Sequence, residues 1–301
     1  MKDLLLITPP FTQLNTPYPA TAYLKGFLNT KNISSYQIDL GIEVILEIFS
    51  KKGVTQIFNV KPENLSENTQ RIFALKEEYI KTIDEVIAFL QNKKPTLARQ
   101  ICSMNFLPEA SRFNQLDDME YAFGNMGLQD KAKHLATLYL EDLSDYIIEN
   151  IDENFGFSRY AERLGRSANS FDELYEKLQS EKTFVDNFTL EILDKKLLET
   201  KPKLVCFSVP FPGNLYSAFR CAQHIKNHYP KIKTAFGGGF ANTELRDLKD
   251  KRVFEFFDFI TLDDGELPIE LLFENICHFE QSEESLFKRT FLLENGEIVY
   301  K

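Results

Sequence analysis

The sequence predicts an α/β protein: a five-stranded, doubly wound parallel sheet of the Rossmann-like or flavodoxin-like kind, interrupted by a large all-α insertion after the second strand–helix unit. Three observations lead there. Short apolar runs alternate with helix-spaced segments near both ends of the chain. Almost no strand-like run occurs between about Lys61 and Thr200. Loops rich in Gly, Pro and Asn follow the apolar runs, where open parallel sheets place their ligands.

The first run, LLLIT at Leu4–Thr8, is short, continuously apolar and ended by Pro9 and Pro10, as expected of a buried strand. Residues 18–28 then place Tyr23, Leu24, Phe27 and Leu28 on one helical face. YQIDL at 36–40 reads as a second strand, followed after Gly41 by a helix over 42–49. Strand, helix, strand, helix implies parallel pairing with right-handed crossovers.

The alternation then stops. Ile72, Leu75, Tyr79, Ile80, Ile83, Ile87 and Leu90 recur at helical spacing, as do Leu135, Leu138, Tyr139, Leu143, Tyr146 and Ile147. Ser170 to Glu173 matches a capping box, and a helix over 185–198 stops before Pro202. Residues 61–200 therefore read as amphipathic helices packed on one another. After Pro202 the first pattern returns. LVCFSVP at 204–210, KTAFGG at 233–238 and FDFITL at 257–262 are strands, with helices over 215–228, 242–249 and 266–279. Residues 286–301 resemble a hairpin around Asn295-Gly296. The organisation expected is a sheet domain over 1–60 and 201–280, a helical insertion over 61–200, and a hairpin or linker over 281–301.

Charge and composition exclude several classes. A formal net charge of −10 disfavours nucleic-acid and anionic-membrane surfaces, and 43% hydrophobic residues suffice for a core. No apolar run reaches the ~18 residues of a membrane span. Cys102, Cys206, Cys221 and Cys277 form no CxxC or Cys/His ligand spacing, so a cytoplasmic protein without a disulfide framework is expected. His224 and His228 share a helix face at i, i+4, but no third ligand accompanies them.

The loops after the first, third, fourth and fifth strands are where chemistry is expected. GxGxxG and GxxxxGK[ST] are absent, and Pro9 and Pro10 have no N–H groups to offer a pyrophosphate. A phospho-acceptor domain would need Asp and Lys where Ser208 and Asp263 stand. What remains is a site rich in glycine and aromatics. Gly237, Gly238 and Gly239 let a bulky ligand approach the backbone, or form a strand-to-helix turn needing positive φ. Ser208 offers a hydroxyl, Phe11, Phe211 and Phe240 offer apolar walls, and Asn214 and Asn242 offer polar edges. Asp39 reads as a helix-entry turn or a ligand contact, and Asp264 as the N-cap of the last helix or a site residue.

Taken in order, LLLITPPF, TAYLKGFL, YQIDLGIEV, LVCFSVPF, AQHIKNHYPKIKTAFGGGFAN and FDFITLDDGELPIELL resemble the N-terminal cobalamin-binding domain of cobalamin-dependent radical S-adenosylmethionine enzymes, such as the anaerobic magnesium-protoporphyrin monomethyl ester cyclases. The resemblance covers about residues 1–55 and 200–275. It implies that Gly237, Gly238, Gly239 and Ser208 flank the nucleotide tail of cobalamin, that Thr8, Pro9 and Pro10 border the corrin, and that Asp264, Gly265 and Glu266 lie near the rim of the tail pocket. DDGE stands where the family tends to carry GEGE, and Phe240 where it carries proline. DxHxxG is missing, so no histidine is expected beneath the cobalt. CxxxCxxC is missing too, so the iron–sulfur cluster and S-adenosylmethionine would belong to a downstream radical domain of the same polypeptide. The implied function is a cobalamin-binding module, not catalytic alone, serving methyl transfer or oxidative cyclisation. An interaction or sensor domain with a degenerate, empty site, acting through its helical insertion, is the alternative. A flavin module would want a hydroxyl-rich first loop that this chain lacks.

Overall fold

A computed structural model describes residues 3–14, 17–62, 66–103, 105–115, 127–166, 171–277 and 287–301. In chain order the elements are β1 (Leu4–Thr8), α1 (Ala20–Thr30), β2 (Ser35–Asp39) and α2 (Leu40–Ile48). The helices α3 (Lys51–Asn59), α4 (Glu67–Ala74), α5 (Lys76–Leu90), α6 (Ala98–Ile101) and α7 (Leu128–Asn150) follow. Next come α8 (Glu162–Arg166), α9 (Asp172–Gln179), α10 (Phe184–Thr200), β3 (Leu204–Ser208) and α11 (Leu215–His228). The chain continues with β4 (Lys233–Gly237), α12 (Gly239–Glu244), β5 (Phe259–Thr261), α13 (Glu266–Cys277), β6 (Thr290–Glu294) and β7 (Glu297–Tyr300). Contacts divide these elements into two compact units, Met1–Val44 with Phe157–Lys301, and Ile45–Gly156.

The first unit is α/β, with a mostly parallel sheet ordered β2-β1-β3-β4-β5-β6-β7. β1 to β5 pair in parallel, and chain order reverses at β1, whose neighbours are β2 and β3. The sheet has two strands more than the sequence implies. The hairpin at the C-terminal end joins it, β6 lying antiparallel to β5 through Ile260 opposite Phe291 and Thr261 opposite Thr290. β5 would otherwise leave a row of unpaired N–H and C=O groups at an edge. Asn295 (φ 52°) and Gly296 (φ 79°) supply the two positive φ values of a tight hairpin turn.

Residues 157–200 belong to this unit, where α8, α9 and α10 pack on α11. The capping box expected at 170–173 begins on Ser170, which lies outside the described residues. A reciprocal box instead starts α10: Asp186 N–H donates to Thr183 Oγ1 (3.1 Å) and Thr183 N–H to Asp186 Oδ2 (3.0 Å). The same Oδ2 accepts the Tyr216 hydroxyl at 2.8 Å and lies 3.0 Å from Arg220 Nε, with both charged side chains 3% exposed. This buried knot ties α10 to α11.

The second unit is helical and has its own core. Phe58, Tyr79, Tyr139 and Tyr146 interlock at ring separations of 5.0–6.2 Å, with Ile83 and Val86 buried beside them. Buried Asp142 on α7 accepts the N–H groups of Ala110 and Arg112 (3.0 Å each), pinning that irregular stretch; burial pushes its carboxyl up to about 6.

Candidate functional site

The first unit's sheet has unlike faces. One carries Val205, Phe207 and Phe236, against which Phe219 and Phe257 pack with ring separations of 5.0–6.0 Å. Residue alternation sends Leu4, Leu6, Leu204 and Ala235 to the other, where they join Leu28, Ile33, Ile269 and Leu272 of the α1 and α13 side. Above that cluster, at the carboxyl ends of β1, β3, β4 and β5, a cleft of about 550 Å³ opens.

The cross-strand register fixes the cleft's depth. Leu6, Cys206 and Ala235 form one row across β1, β3 and β4, and Ser208 with Gly237 forms the row one step nearer the strand ends. Leu24 of α1 and Ile269 and Leu272 of α13 wall the lower row. Thr21, Tyr23, Asn242, Asp263 and Glu266 line the upper part. Cys206 is half-buried, and burial pushes its thiol up to about 12, so it serves as an apolar wall rather than a nucleophile.

Ser208 and Gly237, the last residues of β3 and β4, line the cleft together with Gly238, Gly239, Asp264, Gly265 and Glu266. Thr8, Pro9, Pro10, Asp39, Phe211, Asn214 and Phe240 are not among its lining residues. Thr8 is buried opposite Asp39 in the sheet, and Asn214 Nδ2 donates to the Pro9 carbonyl at 2.8 Å, fixing the loop after β1. Asp39 Oδ1 accepts the Ile42 N–H (3.1 Å) in the first turn of α2, and burial raises its carboxyl against the pull of the Ile42 and Gly41 N–H groups. Phe240 is buried against Phe236 at 6.3 Å. Phe211 is 56% exposed and meets the ring of Tyr18, itself a cleft residue, edge-on at 6.1 Å.

The glycine run has a reason within the chain. A Cβ on Gly238 (φ 104°) would lie 2.8 Å from both Val209 N and Val209 O, and one on Gly239 2.8 Å from Pro210 O. The loop after β3 thus occupies the space that side chains there would need. Gly238→Val therefore perturbs the backbone before it perturbs any ligand.

The acidic rim is largely answered by nearby groups. Asp263 takes a left-handed φ of 61°, which Asp tolerates better than most residues. Its N–H donates to Asn242 Oδ1 at 2.6 Å and its carboxylate accepts Arg246 Nη2. Arg289 stands 3.9 Å from Asp264, whose side chain is 91% exposed. Tyr23 donates its hydroxyl to Glu266, and that bond raises the hydroxyl above its ordinary range.

His224 Nε2 bonds Asp194 Oδ1 at 2.8 Å, Tyr229 donates to the same oxygen at 2.9 Å, and the His224 and His228 rings stack at 4.3 Å. No group of three or more His, Cys, Asp and Glu side chains suited to a metal ion exists among the described residues, and no described helix is long and apolar enough to cross a membrane.

Sequence reasoning missed Thr21, Tyr23, Leu24, Cys206, Ala235, Thr261, Ile269 and Leu272 as cleft residues. The signal available was the small residue at alternate positions of two adjacent strands, Cys206 and Ser208 on β3, Ala235 and Gly237 on β4. No family model, curated protein or solved structure matches the chain.

Proposed function

We propose that the α/β unit is a cobalamin-binding module, with the cleft as the slot for the cofactor's nucleotide tail. One observation carries the reading: the cleft opens at the carboxyl ends of the central strands, over a floor lowered by the small side chains of Cys206, Ser208, Ala235 and Gly237. Its volume lies within the ~300–1,000 Å³ of small-molecule sites. That space suits an elongated tail and leaves a corrin at the mouth, beside Tyr18, Tyr23 and the loop after β5. The residues fit the group in charge as well, because Arg246 answers Asp263, which occupies a glycine-like backbone position.

When bound, cobalamin supplies the organometallic chemistry. The chain's part is placement: Leu6, Leu24, Cys206, Ala235, Ile269 and Leu272 exclude water from the tail, while Ser208 and Asn242 present polar groups near the mouth. By the resemblance of its loops, the module serves a radical S-adenosylmethionine domain downstream in the same polypeptide, for methyl transfer or oxidative cyclisation, and is not catalytic alone. A second reading, an interaction or sensor domain acting through its helical unit, is favoured by the filling of the glycine run by Val209 and Pro210. Titration of the purified chain with hydroxocobalamin, followed by desalting, separates the two: retained corrin bands support the module, and colourless protein supports the sensor.

A further inference from the structure

We infer that the cleft discriminates among corrinoids by the base that ends the tail, accepting an apolar bicyclic ring such as a benzimidazole and disfavouring a purine. The inference rests on the reading of the cleft as a tail slot and adds a selectivity to it.

The lower row of the cleft decides the matter. Leu6, Cys206 and Ala235 make its floor, and Leu24, Ile269 and Leu272 its walls. None of these six side chains bears an oxygen or nitrogen. The Cys206 thiol is a weak donor and stays protonated at neutral pH. The backbone is equally closed, because β3 is paired through Cys206 on both sides, to Leu6 of β1 and to Ala235 of β4. Its peptide groups are spent in the sheet. The lining side chains that carry an oxygen or nitrogen belong either to the Ser208–Gly237 row, where Thr261 stands beside Gly237, or to the loops and helix starts beyond it, as Asn242, Asp263 and Glu266 do.

A ligand seated here therefore leaves its far end in apolar surroundings and its near end among polar groups. An adenine would carry an exocyclic amine and ring nitrogens into the lower row, where they lose water and find no partner among the lining side chains. A benzimidazole carries flat hydrocarbon surface there instead. Leaving buried donors or acceptors unpaired weakens binding by roughly ten- to a hundredfold.

Equilibrium dialysis of the full chain against three corrinoids, read by corrin absorbance, tests this: hydroxocobalamin, its adenine-tailed analogue, and cobinamide, which has no nucleotide. The expected order is hydroxocobalamin tightest, with the adenine-tailed form roughly ten- to a hundredfold weaker. Cys206→Leu, which fills the lower row, should bring hydroxocobalamin down to the cobinamide level and leave cobinamide unchanged. Should that variant fail to fold by circular dichroism, Leu24→Phe fills the same row from α1. Cys206→Ser, which adds a hydroxyl at the floor, should narrow the gap between the two bases. Equal affinities for both bases, or tighter adenine binding, overturn the selectivity while leaving the tail slot standing. Cobinamide binding as tightly as hydroxocobalamin places the tail outside the cleft and also overturns it. Retention of none of the three overturns the cobalamin reading and this inference with it.

Discussion

Replacing Gly238 by alanine tests whether the glycine run serves the fold. Its φ of 104° and ψ of −172° fall where essentially only glycine resides, a conformation that costs other residues ~1–3 kcal/mol. The new Cβ would also meet Val209 N and O at 2.8 Å, and these are backbone atoms tied to their neighbours. Val209 N–H donates to the Gly237 carbonyl at 2.8 Å and Val209 O accepts the Phe240 N–H at 3.0 Å. Relief of the clash must break or stretch those bonds, and overpacking of this kind costs a further ~1–3 kcal/mol. Together the loss is about 2–6 kcal/mol. For a domain of this size each kcal/mol moves the melting temperature by ~2–4 °C, so a fall of roughly 5–20 °C is expected. Two glycines provide the comparison. Gly296 also has positive φ (79°) but its Cβ would meet nothing within 4 Å, so Gly296→Ala isolates the backbone strain. Gly26, exposed within α1, likewise has open space, and Gly26→Ala should stabilise by ~0.5–1 kcal/mol through helix propensity. Thermal and urea melts of the three variants give the ranking. Gly238→Ala as stable as the parent would refute the reasoning and return the glycines to a ligand.

Two other perturbations follow from buried polar groups. Asp186→Ala strips Arg220 of its carboxylate and Tyr216 of its acceptor in a site only 3% exposed, and should cost ~3–5 kcal/mol in urea melts; a loss under 1 kcal/mol would mean that α10 is not held by this knot. His224 is held below its ordinary 6.5, first by burial, with Asp194 opposing and His228 and Lys182 lowering it further. The unfolded chain therefore binds more protons, so this stability is full above pH 6.5 and falls as pH drops below it toward the folded value. Urea midpoints between pH 5 and 8 should show that slope in the parent and a flatter one in His224→Gln.

Much of the fold is written locally. LLLIT and LVCFS are short apolar runs closed by proline-bearing loops, and the Asn295-Gly296 pair announces its hairpin. What locality does not contain is the identity of the covering partner. The helical spacing in 157–200 is the same whether those helices pack on each other or on α11, so the segment reads as insertion although it belongs to the sheet unit. The hairpin's docking beside β5 is invisible for the same reason: strand pairing joins residues about thirty positions apart, Ile260 to Phe291. At the candidate site the glycines are conspicuous in sequence, yet what crowds them, Val209 and Pro210, is visible only in three dimensions. The cleft's lower row was within reach, since its small residues recur at the strand period.

That row also supplies the strongest argument that the cleft exists for a ligand. The opposite face shows what this sheet does when folding alone governs: Phe207 is 2% exposed, Phe236 and Phe257 0%, and their rings pack edge to face. Filling a position with a buried Val, Leu or Phe side chain stabilises by ~1.5–3 kcal/mol. On the cleft face Cys206, Ser208, Ala235 and Gly237 forgo that gain at adjacent positions of the two central strands, and Leu24 with Ile269 and Leu272 frames the hollow rather than closing it. A Cβ at Gly237 would touch Thr261 Oγ1 at 2.5 Å, so that one position is constrained by the chain itself. Cys206 is partly exposed and borders the cleft together with Leu24 and Leu272, so a leucine there would extend into the hollow. A stability gain in Cys206→Leu, together with loss of corrinoid retention, would reveal a position where binding rather than folding has set the side chain.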